Sequence, residues 1–242
     1  MFWNNTFLFK ASLILNLILC GCVILVFMKK TNLRQKITKN NISISRPTYE
    51  TAYYKFRLNQ FAGLPHNQAA IMFLGDSLTE QGQWAELLKN SYVINRGING
   101  DSTAGVLHRL DGVIADDPSK IFLMIGTNDI WNQNKSVSQI LTNYRLILET
   151  LKDKLPQTKV YIQSNLPVNN NNFTIKINNN QIYSLNSKLE KLAEELGYTY
   201  IDLATKLRDN DGQLNSKYTL DGVHLNGLGY GVWAEVLKPF LN

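Results

Sequence analysis

The sequence is short of cysteine, short of histidine and, over its N-terminal stretch, empty of negative charge, and each shortage removes a class of explanation. Its two cysteines, Cys20 and Cys22, both fall inside an N-terminal apolar run. The remainder of the 242-residue chain therefore has no disulfide framework and no thiolate metal site, and its redox compartment is left open. The three histidines, His66, His108 and His224, do not cluster with carboxylates at ligand spacing, so no metal centre is expected. No Asp or Glu precedes Glu50, whereas Lys10, Lys29, Lys30, Arg34, Lys36, Lys39 and Arg46 do. The formal charge of +6 is thus an N-terminal property: of 25 basic and 19 acidic residues, residues 50–242 keep 18 and 19, a net of −1. A near-neutral domain of this kind argues against a nucleic-acid partner.

What the N-terminus does have is a long apolar run, Ala11 to Met28, interrupted mainly by Asn16 and bounded by Lys10 and Lys29-Lys30. As a helix it would be about 27 Å long, close to the thickness of a bilayer core. A cleaved signal peptide fits poorly, because the run is long and no small-x-small site closes it. A lipoprotein site at Cys20 also fits poorly, because the chain stays apolar through Val23–Phe27. A retained single-pass anchor over residues 1–30 is the expectation, followed by a basic, polar linker over 31–47 and a domain over 48–242. The positive charges after the run favour a cytoplasmic domain. An exported signal anchor is the alternative, so the membrane face stays open. Tyr49, Tyr53, Phe56 and Gln60-Phe61 follow helical spacing and predict an amphipathic helix packed onto the domain.

The rest of the chain alternates. Apolar runs at Ala69–Leu74, Tyr92–Asn95, Ile121–Ile125, Val160–Gln163 and Tyr198–Ile201 are separated by helical patterns near 80–90, 102–115, 136–154 and 181–196, with another near 228–240. That is the signature of a parallel sheet covered by helices on both faces. A three-layer α/β/α, flavodoxin-like fold with strand order 2-1-3-4-5 is predicted. In that order the first and third strands flank the switch point, beyond whose carboxyl ends ligands bind.

Both of those strands end in polar motifs. Gly75-Asp76-Ser77-Leu78 closes the first, and Gly126-Thr127-Asn128-Asp129 closes the third. Ser77-Leu78-Thr79-Glu80 also fits a capping box, so Ser77 reads either as a helix cap or as a nucleophile, with Asp76 able to cap in its place. Asn99-Gly100-Asp101 follows the second strand; Gly100 reads as a turn residue or as an oxyanion-holding amide, with Gly97 a second candidate donor. The Asn128 side chain is a further oxyanion donor. A serine hydroxyl needs a base titrating near neutrality, which imidazole supplies, and a carboxylate to orient that base. Asp221-Gly222-Val223-His224 offers both, although a bare turn would use the same residues. His66 lies in a Pro-containing loop, and His108, in a helix with Arg109, is expected to be solvated. Gly227-Leu228-Gly229-Tyr230-Gly231 does not follow a strand and is set aside as a dinucleotide loop. The Asn-rich stretch 169–180 is read as a polar insert, disordered or rimming the pocket.

Taken together, Gly75-Asp76-Ser77-Leu78, Gly100, Gly126-Thr127-Asn128-Asp129 and Asp221-Gly222-Val223-His224 resemble the four motifs of the SGNH (GDSL-type) hydrolase family. The likeness runs over about residues 69–241. Within the family, Gly97–Thr103 and His108-Arg109-Leu110 look most like the platelet-activating-factor acetylhydrolase type. The resemblance implies a serine esterase that needs no cofactor, with Ser77 as nucleophile, His224 as base oriented by Asp221, and an oxyanion hole of the Ser77 and Gly100 amides and the Asn128 side chain. Small acyl esters, such as O-acetylated glycans or lysophospholipid-type esters, are the implied substrates. The alternative is a catalytically silent glycan- or lipid-binding module on the same fold. The apolar run and the Asn-rich stretch lie outside the family pattern.

Overall fold

The structure is a computed structural model that describes Tyr49 and residues 51–66, 68, 70–175 and 177–241. The expected membrane anchor and basic linker lie outside the described residues. Among the described residues no helix is long and apolar enough to cross a membrane.

Five strands form one parallel sheet: β1 Ile71–Gly75, β2 Val93–Gly97, β3 Lys120–Met124, β4 Lys159–Gln163 and β5 Thr199–Ile201. Their order is β2-β1-β3-β4-β5, the flavodoxin-like order expected from the pattern of runs. Strands β1 and β3 are buried along their whole length, as continuous apolar runs should be when both faces are covered. The pleat then sorts alternate residues onto opposite faces. Met72, Leu74, Ile121 and Leu123 pack with the helices of one layer, and Phe73 and Phe122 with those of the other. The register pairs Gly75 with Gly97 on one side and with Met124 on the other, so the carboxyl ends of β2, β1 and β3 stop level.

The helices, in chain order, are α1 Ala52–Ala62, α2 Ser77–Glu80, α3 Trp84–Leu87, α4 Thr103–His108, α5 Leu110–Asp116, α6 Thr127–Trp131, α7 Val137–Lys154, α8 Asn179–Leu196, α9 Ala204–Leu207 and α10 Gly227–Leu237. On one face α7 and α8 carry Ile147, Leu148, Leu151, Ile182, Leu185 and Leu189 into the core. Helix α7 starts at a complete capping box, Ser136 with Gln139. On the other face aromatic rings dominate. Phe73 stacks on Trp84 at 4.2 Å and on Phe122 at 5.1 Å, and Trp233 of α10 meets Trp84 edge-on at 4.7 Å.

Three expectations need correcting. The single helix near 80–90 is two short ones, α2 and α3, and that near 102–115 is broken at Arg109 into α4 and α5. Helix α1 is present, but the face it buries is that of Tyr54, with 1% exposure, while Tyr53 and Phe56 of the expected stripe remain open to solvent. The Asn-rich stretch, Lys176 excepted, is folded rather than disordered. Asn169 and Asn179 are buried, Asn169 donating to Leu214 O at 2.7 Å and Asn179 exchanging hydrogen bonds with the Val168 peptide at 2.8 and 2.9 Å.

Trp233 is fully buried and donates its indole N–H to Gln163 Oε1 at 2.7 Å. Trp233→Ala leaves a large cavity and an unpaired buried amide, and should lower unfolding free energy by about 3–5 kcal/mol in urea titration. A loss under about 1 kcal/mol would show that α10 is not part of the cooperative core.

Candidate active site

Strand β1 runs directly into α2 at Gly75-Asp76-Ser77. Asp76 is the helix cap: its Oδ1 accepts the Leu78 amide at 3.1 Å. Ser77 is therefore not the cap. The Glu80 carboxylate, which a capping box would turn back to the helix start, instead accepts the Asn99 amide at 2.7 Å. This leaves the Ser77 hydroxyl and amide free of capping duty, and neither the Ser77 nor the Gly100 amide has an acceptor among the described residues.

His224 comes from a turn between Thr219 and Leu225, which pair as an isolated antiparallel bridge. Its Nε2 lies 3.0 Å from Ser77 Oγ across 147 positions of sequence, and its Nδ1 lies 2.7 Å from Asp221 Oδ2. Asp221 Oδ1 accepts the Val223 and His224 amides at 2.9 and 2.8 Å. Gly222 turns the chain at φ +83°, where a side chain would also strike Phe173 and Ile175. Burial acts to raise the Asp221 carboxyl, but the His224 hydrogen bond and the two amides outweigh it and hold it below the usual carboxylate range.

The candidate oxyanion donors differ in state. Asn128, at the start of α6, donates from Nδ2 to Asp101 O at 3.0 Å, with a long 3.4 Å contact to Asp76 Oδ2. Its Oδ1 accepts from Asn132 Nδ2 at 2.8 Å, which fixes the amide's orientation so that the NH2 end faces Ser77's loop. Gly100 sits in the loop after β2 with open space beside its α-carbon. Gly97 is not a donor: its amide is already given to Asn95 Oδ1 at 2.8 Å. Its role is clearance, because a Cβ there would overlap the Glu80 backbone.

Beneath these groups lie three buried carboxyls, Asp76, Asp101 and Asp129. Arg109 is buried and braces the site from beneath. Its guanidinium bonds Asp101 Oδ2 through Nε and Nη2 at 3.0 Å each, Arg96 O at 2.8 Å and Gly75 O at 3.1 Å. Asp129 accepts the Thr103 amide at 2.8 Å, the Thr103 hydroxyl at 2.6 Å and Lys135 Nζ at 2.9 Å. Burial pushes Asp76 up to about 7, with Asp101 and Asp129 adding repulsion against the pull of the Leu78 amide. Burial likewise raises Asp101 to about 6, against the opposing pull of Arg109. His108 is exposed and stacks on Tyr49 at 4.7 Å, and His66 pairs with Asp116 at 2.8 Å; neither reaches Ser77's partners. Sequence reasoning missed Asn132, Glu80 and Arg109. Asn132, four residues after Asn128 on the same helical face, is the one that spacing could have found.

A model of the GDSL-like Lipase/Acylhydrolase family matches residues 73–232, more than half of the chain. The chain belongs to the GDSL-like lipase/acylhydrolase family. As a member of that family it is an ester-cleaving hydrolase. Among curated relatives, Homo sapiens platelet-activating factor acetylhydrolase IB subunit alpha2 is 27% identical over 176 residues, covering 70% of this chain and 73% of its own. A Streptococcus pneumonia protein named after platelet activating factor matches in structure with a TM-score of 0.71 and 30% identity, covering 89% of this chain and 99% of that one. A GDSL-like lipase from Bacteroides thetaiotaomicron matches with a TM-score of 0.67 and 26% identity, covering 77% and 96%. The resemblance drawn from the four motifs is thus shown at the level of the family.

The raised Asp76 carboxyl has a consequence for this acylhydrolase's stability. A carboxyl that titrates higher in the folded state than in the unfolded chain weakens folding as pH rises from about 4 through 7, and the penalty is constant above that. Asp76→Asn keeps a capping side chain and removes the ionisation. Its melting temperature relative to the parent should therefore climb between about pH 4 and pH 8; a difference independent of pH would contradict the placement of Asp76.

Proposed function

We propose that the protein is a serine esterase that cleaves small acyl esters through an acyl-enzyme, with Ser77 as nucleophile, His224 as general base and Asp221 as its orienting acid. The observation that carries this reading is the continuous chain from Asp221 through the imidazole to the Ser77 hydroxyl, with contacts of 2.7 and 3.0 Å. Asp221 accepts the Nδ1 proton, so Nε2 is the nitrogen left to take the proton from Ser77 Oγ as the hydroxyl attacks the ester carbonyl. The oxyanion then develops at the start of α2, facing the free Ser77 and Gly100 amides and the Asn128 Nδ2 hydrogen held only by the long contact to Asp76. The imidazolium returns its proton to the departing alcohol. Water, activated by the same imidazole, hydrolyses the acyl-enzyme and restores the serine.

The substrates that this reading favours are O-acetylated glycans or lysophospholipid-type esters. An acetyl ester agrees with the acetylhydrolase name of the curated relative. The apolar run Ala11–Met28 supports a tethered enzyme working close to a bilayer.

Ser77→Ala should abolish hydrolysis of p-nitrophenyl acetate and labelling by a fluorophosphonate probe, with the thermal melt of the parent retained. Undiminished turnover in that variant would overturn the assignment. Asn128→Ala should lower kcat by about 10²–10³ with little change in KM, as expected for a donor engaged in the transition state.

A further inference from the structure

Glu80 lies one helical turn beyond Ser77, and its two oxygens face different parts of the molecule. Oε2 accepts the Asn99 amide at 2.7 Å. Oε1 accepts the Tyr53 hydroxyl at 2.6 Å and lies 2.9 Å from Arg57 Nε, both from helix α1. The Arg57 N–H is not aligned on the carboxylate for a hydrogen bond, so that contact acts as an ion pair. The Tyr53 hydroxyl is shifted upward first by its bond to Glu80, as a donor to a carboxylate should be. Helix α1 is also fastened nearby, where the Tyr54 hydroxyl donates to Gly105 O at 2.6 Å.

The Asn99 amide immediately precedes the peptide whose N–H is that of Gly100. A peptide plane moves only through its flanking φ and ψ. On its far side that plane is steadied by the turn in which Asp101 N donates to Ile98 O at 3.0 Å. On its near side the charge-assisted bond from Asn99 to Glu80 steadies it. We infer that Glu80 is a positioning residue for the oxyanion hole, holding the Gly100 amide in place through Asn99, and that helix α1 sets the Glu80 carboxylate through Tyr53 and Arg57. This inference rests on the serine-esterase reading.

The test compares Glu80→Ala, Glu80→Gln and Tyr53→Phe, each alone, and Tyr53→Phe combined with Glu80→Ala, using p-nitrophenyl acetate, fluorophosphonate labelling and thermal melts. Glu80→Ala should lower kcat by about ten- to a hundredfold, less than outright loss of an oxyanion donor, with KM unchanged. Glu80→Gln keeps an acceptor oxygen and should recover most of that loss. Tyr53→Phe should lower kcat on its own but add nothing in the Glu80→Ala background, because it acts through the same carboxylate. Three results would overturn the inference while the parent still labels at Ser77: a parental kcat in Glu80→Ala, a Glu80→Gln variant as impaired as Glu80→Ala, or losses of Tyr53→Phe and Glu80→Ala that simply multiply. A parent protein that takes no adduct would instead overturn the esterase reading, and this inference with it.

Discussion

Helix α2 rests on bare backbone, and that close approach governs the rest of the site. A Cβ at Gly75 would overlap Met124 O and the Thr79 side chain, and one at Gly97 would overlap the Glu80 backbone. A helix of four residues has no stability of its own, so its groups must be satisfied from outside. Asp76 takes the Leu78 amide at one end. At the other, Asn95 Nδ2 lies 3.0–3.1 Å from the carbonyls of Thr79, Glu80 and Gly82, and Trp84 donates to Thr79 O at 2.7 Å. With the helix pressed onto the level ends of β1 and β2, Ser77 stands at the carboxyl end of β1, one of the two strands that flank the point where strand order reverses and where an open α/β sheet has room for a ligand.

The same compactness forces carboxyls into the interior. Asp76, Asp101 and Asp129 each lie a few residues at most beyond a glycine at or after a strand end, and each accepts a backbone amide there, Asp76 from Leu78, Asp101 from Ser102 and Asp129 across the site from Thr103. Buried ionised groups are tolerated when paired and hydrogen-bonded, and are costly otherwise. Arg109 pairs with Asp101 and Lys135 with Asp129, whereas Asp76 meets no cation among these contacts. Arg109 accordingly opposes the burial that raises Asp101, and no cation does so at Asp76. Arg109 also joins the two strand ends directly by donating to Gly75 O and Arg96 O. The break between α4 and α5 at this residue places its guanidinium inside the fold.

How much of this could be read from the chain follows from the range of the forces involved. The strands and their order were legible because runs such as Ile71–Leu74 and Ile121–Ile125 are apolar without alternation, which implies cover on both faces. The groups at the site were legible because strand-end motifs and a short Asp-x-x-His turn are local arrangements. What stayed hidden depends on partners distant in sequence. Arg109 reads as one more charge in a helical stretch until Asp101 and two strand carbonyls surround it. The stripe of Tyr53 and Phe56 gives a helical period without saying which neighbour the helix will meet, and Tyr54 proves to be the buried side. Asn169 and Asn179 read as low-complexity polar chain, yet both serve as substitutes for backbone, closing carbonyls and amides that no ladder reaches.

The His224 turn separates what is local from what is not. Asp221 Oδ1 holds the backbone amides of Val223 and His224, and Oδ2 holds the ring. One carboxylate therefore sets both where His224 begins and which way its imidazole faces, within four residues. That is why an acid whose side chain is 55% exposed can still do this work, since the arrangement closes on itself rather than on the core. The long-range requirement is then reduced to a single joint: the turn must stand the right distance from α2. Tyr230, on the helix that follows the turn, donates its hydroxyl to Leu78 O at 2.7 Å. Leu78 is the residue after Ser77, so this buried bond ties the helix behind the imidazole to the helix bearing the hydroxyl and converts two locally specified pieces into one site.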